Sequence, residues 1–158
     1  MGNELTLDSL AEMTLDELDE LFGSAEAPDP GELDGALEER ILAGRGALRL
    51  RGFRSIVNTP LNPWKGKTVV GGAGANVLRA GPFAKEVAEF EVRNESSVLD
   101  GKEAAVLSHT DENPEPVQRI RDELRRVGDG VYLGAASVKA GGGYRFVFYF
   151  GLRSRLPT

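Results

Sequence analysis

His109 is the only histidine in a chain of 158 residues, and its side chain is the one best suited to move a proton near neutral pH. It falls near the end of the run Glu103–Thr110, on the same face as Ala105 and Leu107. An imidazole there, at the rim of an apolar cavity, could serve as general base or acid. The plainer role is a hydrogen-bonded rim residue. Tyr132 and Tyr149 lie in two apolar runs joined by Ala140-Gly141-Gly142-Gly143. They could face each other across a hairpin and offer rings and hydroxyls to a ligand, or pack in the core. Trp64, the only tryptophan, stands in Asn62-Pro63-Trp64-Lys65-Gly66-Lys67. It would either anchor helices to a sheet or gate a cavity mouth. In a binding site, Trp64, Phe90, Tyr132 and Tyr149 would give apolar contact. Asn76, His109 and Arg145 would orient a polar or acidic head.

Other chemistries find little support. The absence of cysteine excludes disulfides, thiolate zinc sites, iron–sulfur ligation and cysteine nucleophiles. One histidine excludes a multi-histidine metal site, so no metal is expected. Gly71-Gly72-Ala73-Gly74 lacks the G-x-x-x-x-G-K-[ST] order and reads as a turn between strands. Ser96, Ser97, Ser108 and Ser137 lack a G-x-S-x-G elbow. Asp122 and Glu123, flanked by Arg119, Arg121, Arg125 and Arg126, read as the solvated, ion-paired face of a helix. No cofactor motif is present, and no cofactor is expected.

The net charge of −6 conceals two blocks. Residues 1–39 carry 13 acidic groups and no basic one, whereas residues 40–85 carry nine basic groups and no acidic one. Such blocks pair with each other or with an outside partner. The plain expectation is that acidic N-terminal helices lie over the basic segment. The sharper one is a basic surface for anionic lipid or phosphate. An acidic total and few aromatics in the basic block argue against nucleic acid. The N-terminus lacks the basic start and apolar core of a signal peptide, and no apolar run approaches the roughly 20 residues of a membrane span. The expected location is cytoplasmic.

Local patterns define the elements that would position these residues. Thr14-Leu15-Asp16-Glu17 is a capping box, and Leu15, Leu18, Leu21 and Phe22 follow on one helical face. Leu5, Leu7 and Leu10 fit a shorter preceding turn. Asp29-Pro30 predicts a second helix start, with Leu33, Leu37 and Ile41 on its buried side. Leu48–Asn58 fits a strand or, by Leu50, Phe53, Ile56 and Val57, a basic amphipathic helix, which is preferred. Two prolines make 59–63 a loop. Thr68–Val70, Ala75–Arg79, Lys85–Arg93, Ser96–Leu99 and Glu103–Thr110 read as strands, the last two joined at Asp100-Gly101. Asn113-Pro114 opens a helix with Val117, Ile120, Leu124 and Val127 inward. Val131–Lys139 and Tyr144–Leu152 form a final hairpin.

Many short strands with glycine turns predict an α+β protein: an antiparallel lipocalin-like β-barrel, or a strongly curved sheet, with N-terminal helices over one end. Residues 1–58 would be the helical cap and 59–158 the barrel with one inserted helix. In the last strand, Tyr144, Phe146, Phe148, Phe150 and Leu152 share one face. That face either lies under the helices or fills the barrel.

Trp64-Lys65-Gly66-Lys67, followed by Gly74-Ala75-Asn76-Val77-Leu78, resembles the GXWXG-type domains of unknown function in bacteria. Those have a short helical region, a tryptophan–glycine motif and then a small β-rich domain. The motif's first glycine is Asn62 here, so Trp64 and Gly66 carry the likeness, over about half the chain. Arg121-Asp122-Glu123-Leu124-Arg125 through Val131-Tyr132-Leu133-Gly134 is similar to a run in bacterial proteins with a lipocalin-like outline. Neither resemblance implies an activity; both imply a small barrel.

Three functional expectations follow. The first is a binder of a hydrophobic small molecule or lipid in a barrel cavity. The second is a cofactor-free isomerase or cyclase in the same cavity, with His109 moving the proton. The third is peripheral membrane or partner contact through the basic segment 40–67. Oligomeric state stays open.

Overall fold

The two C-terminal apolar runs form a hairpin of β7 (Val131–Ala140) and β8 (Gly143–Ser154). It turns at Gly141, whose φ of 62° is a conformation glycine enters without steric cost. In the computed structural model, which describes residues 5–29, 31–44, 64–80 and 82–154, this hairpin ends a closed antiparallel barrel. The other strands are β1 (Gly35–Gly44), β2 (Trp64–Val70), β3 (Ala73–Ala80), β4 (Phe83–Ser96), β5 (Glu103–His109) and β6 (Ile120–Gly128). Each strand pairs with its neighbours in sequence, and β8 returns to β1. Closure removes the free edges that an open sheet would expose. The fold is the lipocalin-like antiparallel barrel anticipated from the strand pattern.

The glycine run Gly71–Gly74 is a turn, as expected. Gly71 and Gly72, with φ of 60° and 82°, join β2 to β3 in the doubly left-handed form that suits a tight hairpin. The β4–β5 hairpin turns at Asp100-Gly101. We call the end with these turns lower. At the upper end β1 and β3 finish, β2 and β4 begin, and the β5–β6 and β7–β8 connections lie.

Helices α1 (Leu7–Ala11) and α2 (Leu15–Ser24) come first. The Thr14 hydroxyl accepts from the Glu17 N–H, and the Glu17 carboxylate accepts from the Thr14 N–H. This capping box satisfies two donors that the helix start leaves unpaired. The helices lie against the outer wall. Leu10, Leu18 and Phe22 pack with Leu42, Leu133, Ala135 and Tyr149 in a core outside the barrel. Gly151 permits this approach, since a Cβ there would stand 2.8 Å from Leu7 Cδ2. The segment after α2 crosses the lower end. Glu26 bridges to Arg126, the Asn94 amide donates to Pro28 O, and the Gly71 N–H donates to Asp34. Leu33, 2% exposed, joins the interior core as a plug.

Two helix expectations are corrected. The helix expected from Pro30 to Ile41 is β1 instead, and the one after Asn113-Pro114 shrinks to α3 (Glu115–Gln118) before β6 begins. Both strands are buried on two faces, so neither shows the clean alternation of a half-exposed strand. On β1, Leu37 and Glu39 face inward while Leu42 and Ala43 meet the helices. On β6, Leu124 and Asp122 are buried on one side, Glu123 and Arg125 on the other. Charges on both buried faces left only the i, i+4 apolar spacing visible. The barrel therefore starts at Gly35, not at 59, and the cap is two helices and a crossing segment. Leu48–Asn58 lies outside the described residues.

The last strand has neither of the single aromatic faces expected. Ala136 pairs with Phe148 but Ser137 pairs with Phe146, a β-bulge with one extra residue in β8. Side-chain parity changes across it. Phe148, Phe150 and Leu152 point into the barrel, whereas Phe146 joins Tyr149 against the helices. Glycine makes room for the inner rings: a Cβ on Gly134 would lie 2.3 Å from the Phe150 ring, and one on Gly74 2.8 Å from the Phe90 ring.

Candidate functional site: a charged cluster inside the barrel

The lower interior is apolar, filled by Leu33, Leu37, Val69, Leu107, Leu124 and Leu152 with two phenylalanine rings. Above it the inward positions turn polar. Glu39, Lys67, Asn76, His109 and Asp122 come from β1, β2, β3, β5 and β6. Lys67, Asn76, His109 and Asp122 are 4%, 2%, 9% and 5% exposed.

Lys67 organises the group. Its ammonium lies 3.0 Å from Glu39 Oε1 and 3.9 Å from Asp122 Oδ2, and it donates to Asn76 Oδ1. In an eight-stranded meander β2 and β6 are opposite walls, so this side chain spans the lumen. It also passes 5.2 Å from the Phe150 ring centre and 5.8 Å from that of Phe90, within cation–π range. The Asn76 amide donates to the Ala88 carbonyl at 3.2 Å. Ala88 has a φ of 55° where β4 bulges against β3, so Asn76 satisfies a backbone group displaced from the ladder.

His109 ends β5. Its Nδ1 is 3.1 Å from the Ile120 carbonyl. A carbonyl only accepts, so Nδ1 carries the hydrogen and Nε2 is the basic nitrogen of the neutral ring. Phe90 meets the imidazole edge-on, ring centres 5.9 Å apart.

Burial alone would lower the pKa of the Lys67 ammonium, but Glu39 and Asp122 outweigh it and hold that pKa above the usual lysine range. Asp122 is shifted up too, first by burial and then by Glu39, while Lys67 and His109 offset only part. One buried ammonium cannot fully stabilise two buried carboxylates. Lys67 therefore holds its proton more tightly than a free lysine, and the Asp122 carboxyl holds its proton more tightly than a free aspartate.

Of the residues singled out from the sequence, Asn76, Phe90 and His109 lie together around this cluster. Arg145 stands at the upper rim: it pairs with Val138, and Val138 with Ile120, beside His109. The two tyrosines are not in this site. Tyr132 is inside but at the lower end, where its hydroxyl donates to Glu32 Oε2 at 3.0 Å. Burial first, and then that carboxylate, push its pKa well above the usual range. Tyr149 is outside, its hydroxyl donating to Asp19 Oδ1 at 2.6 Å. They do not face each other, because Tyr132 is opposite Leu152 and Tyr149 opposite Ala135, on opposite faces of the sheet. Trp64 opens β2, and its side chain lies outside the described residues.

Glu39, Lys67 and Asp122 are members that sequence reasoning missed. Lys67 shares a strand face with Val69, a signal that was there to be used. The other two sat in expected helices. The solvated face assigned to Asp122 and Glu123 is corrected as well. Glu123 is fully buried, accepting from Val98 N–H at 2.9 Å and Arg121 Nε at 3.1 Å. Arg125, also fully buried, grips both Asp100 oxygens at 2.6 and 2.7 Å and donates to the Phe22 carbonyl at 2.8 Å. In the basic segment 40–67, Arg40 pairs with Asp8 and Lys67 is interior; residues 45–63 lie outside the described ones. No helix among the described residues is long and apolar enough to cross a membrane. A separate open cleft of about 510 Å³ lies at the lower end, lined by Leu33, Val69, Val92 and Asn94.

Fold and site define an eight-stranded meander barrel, plugged below, with a charged cluster in its upper interior. No protein-family model and no curated protein matches the chain. Among solved structures it is similar to a protein from Thermomonospora curvata, with a TM-score of 0.67 and 18% identity over 92% of this chain and 90% of that one. The likeness is one of fold.

Proposed function

We propose that the barrel binds a small molecule with an apolar body, a lipid among the candidates, through its upper end. Phe90 and Phe148 supply apolar contact. Lys67, Asn76, His109 and Asp122 meet the polar part, and Arg145 at the rim suits an acidic group. The observation that carries this reading is the inward-facing charged cluster in an otherwise apolar interior. Burying such ions gains little for folding: well-packed apolar replacements are often neutral or more stable by about 1–4 kcal/mol. The lower interior shows that this chain can fill a barrel with leucine and phenylalanine. Barrels of about eight strands hold one small ligand elsewhere. The relation to GXWXG-type domains belongs to the same proposal and rests on Trp64 and Gly66.

The test compares native with denaturing mass spectrometry of the purified protein, followed by a panel of fatty acids and neutral apolar molecules. A copurified or panel ligand, bound more weakly after His109→Gln, is the expected result. Protein that carries nothing apolar and binds nothing from the panel would falsify the reading.

A further inference from the structure

We propose that the Asp122 carboxyl and the His109 imidazole form a proton-transfer pair, and that the barrel isomerises an apolar ketone with a nearby carbon–carbon double bond. The inference rests on the ligand-binding reading above and adds a reaction to it.

The placement comes from strand register. Leu107 on β5 is opposite Asp122 on β6, and His109 is two residues further along β5, held at Ile120. His109 and Asp122 are therefore diagonal neighbours on one face, a spacing of about 7–8 Å between backbone positions. A small molecule lying over this face would present a C–H bond to one and a carbonyl to the other. The charged and titratable groups facing Asp122 are Lys67 from β2, Glu39 from β1 and His109 from β5. Asn76 from β3 completes the polar wall.

The two groups can act as complementary base and acid. With its Nδ1 hydrogen committed to Ile120, the neutral imidazole offers a lone pair at Nε2. Asp122 in its neutral form offers an O–H. In the forward step Nε2 takes the proton from the carbon between the carbonyl and the double bond. That C–H bond breaks and an N–H bond forms. The electron pair moves toward the carbonyl oxygen, which takes the Asp122 proton to give a dienol. The imidazolium formed in the same step balances the carboxylate left behind, and Lys67, at 3.9 Å from Asp122 Oδ2, adds to that. In the return step the imidazolium gives its proton to the far carbon of the former double bond, and the enol proton goes back to Asp122. The double bond is now conjugated with the carbonyl. Atoms and electrons balance, and no oxidant or cofactor is consumed. A neutral carboxylic acid stabilising an enolate-like oxygen is an established use of a buried carboxyl, and Asp122 is 5% exposed here, with the Phe90 ring edge-on to His109.

The test uses 2-tetralone, an apolar ketone with an acidic C–H, in deuterated buffer. Binding is measured by calorimetry and exchange at the carbon next to the carbonyl by NMR. Wild-type protein is expected to bind it and speed exchange over buffer. At saturating ketone, His109→Gln should lower that acceleration by about 100-fold or more, a loss that its weaker binding does not account for. Asp122→Leu should lose exchange similarly, and Asp122→Asn, still a donor, should recover part. Because His109 is the only histidine, acylation of unmodified protein with diethyl pyrocarbonate should abolish exchange, and hydroxylamine should restore it. Protein that binds 2-tetralone without speeding exchange, or a folded His109→Gln variant that exchanges like wild type, overturns this inference alone. So does binding of fatty acids without binding of the ketone. Protein that binds neither overturns the ligand-binding reading as well.

Discussion

Lys67 and Asp122 sit on opposite walls of the barrel, yet the Lys67 ammonium reaches within 3.9 Å of the Asp122 carboxyl and 3.0 Å of Glu39. A charged side chain spans the lumen at the level where the apolar core ends. Lys67→Met would leave the carboxyls without their cation, and truncating one partner of a buried pair costs about 3–5 kcal/mol. Urea denaturation should show that loss. Lys67→Met with Glu39→Gln should be less unstable than the two single effects added, with a coupling of about 0.5–3 kcal/mol. Strict additivity would mean that the pair is not formed in solution.

Gly134 lies opposite Phe150 in the β7–β8 ladder, and the ring covers it. Gly134→Ala puts a methyl where the ring is, and overpacking of this kind costs about 1–3 kcal/mol. Adding Phe150→Leu should recover part of the loss, because a smaller side chain frees the space. A Gly134→Ala protein as stable as wild type would show that the ring can leave its position freely.

Two carboxyls set opposite pH trends. Asp100 is lowered from 3.8 to about 2, chiefly by its hydrogen bonds from Arg125. Its folded pKa is below its unfolded one, so the stabilisation is present above pH 3.8 and is lost as pH falls toward 2. Asp100→Asn should flatten the acid limb of a stability–pH curve in that window. Asp122 is raised, so its contribution is full below the unfolded pKa and declines as pH rises through the folded one. Asp122→Asn should remove a decline on that side while leaving the acid limb unchanged.

Tyr149→Phe removes the hydrogen bond to Asp19 that ties α2 to the barrel wall. Bonds to a charged acceptor contribute about 1.5–3 kcal/mol, with the partial exposure of this one favouring the low end. The melting temperature should fall, whereas binding at the upper end should not change, because the ring is on the far side of the sheet. A Tyr149→Phe variant that loses ligand would put the tyrosine back in the site.

What the sequence determined by itself was local. The Thr14–Glu17 cap and the turns at Gly71-Gly72, Asp100-Gly101 and Gly141 need only neighbouring residues, although of Ser96–Leu99, expected as a strand, only Ser96 belongs to β4 and the rest lies in the turn. Phe90 could be singled out because Lys85–Arg93 alternates, and His109 because it shares a face with Ala105 and Leu107. Tertiary structure decided the rest. Whether β1 and β6 were strands depended on burying both their faces, which only the helices outside and the lumen inside could do. The bulge in β8, set by its pairing with β7, chose which aromatic rings point inward. Lys67 met Asp122 only because closure brought β2 and β6 to face each other across the lumen. A charge buried by closure looks, in the sequence, like any charge on a surface.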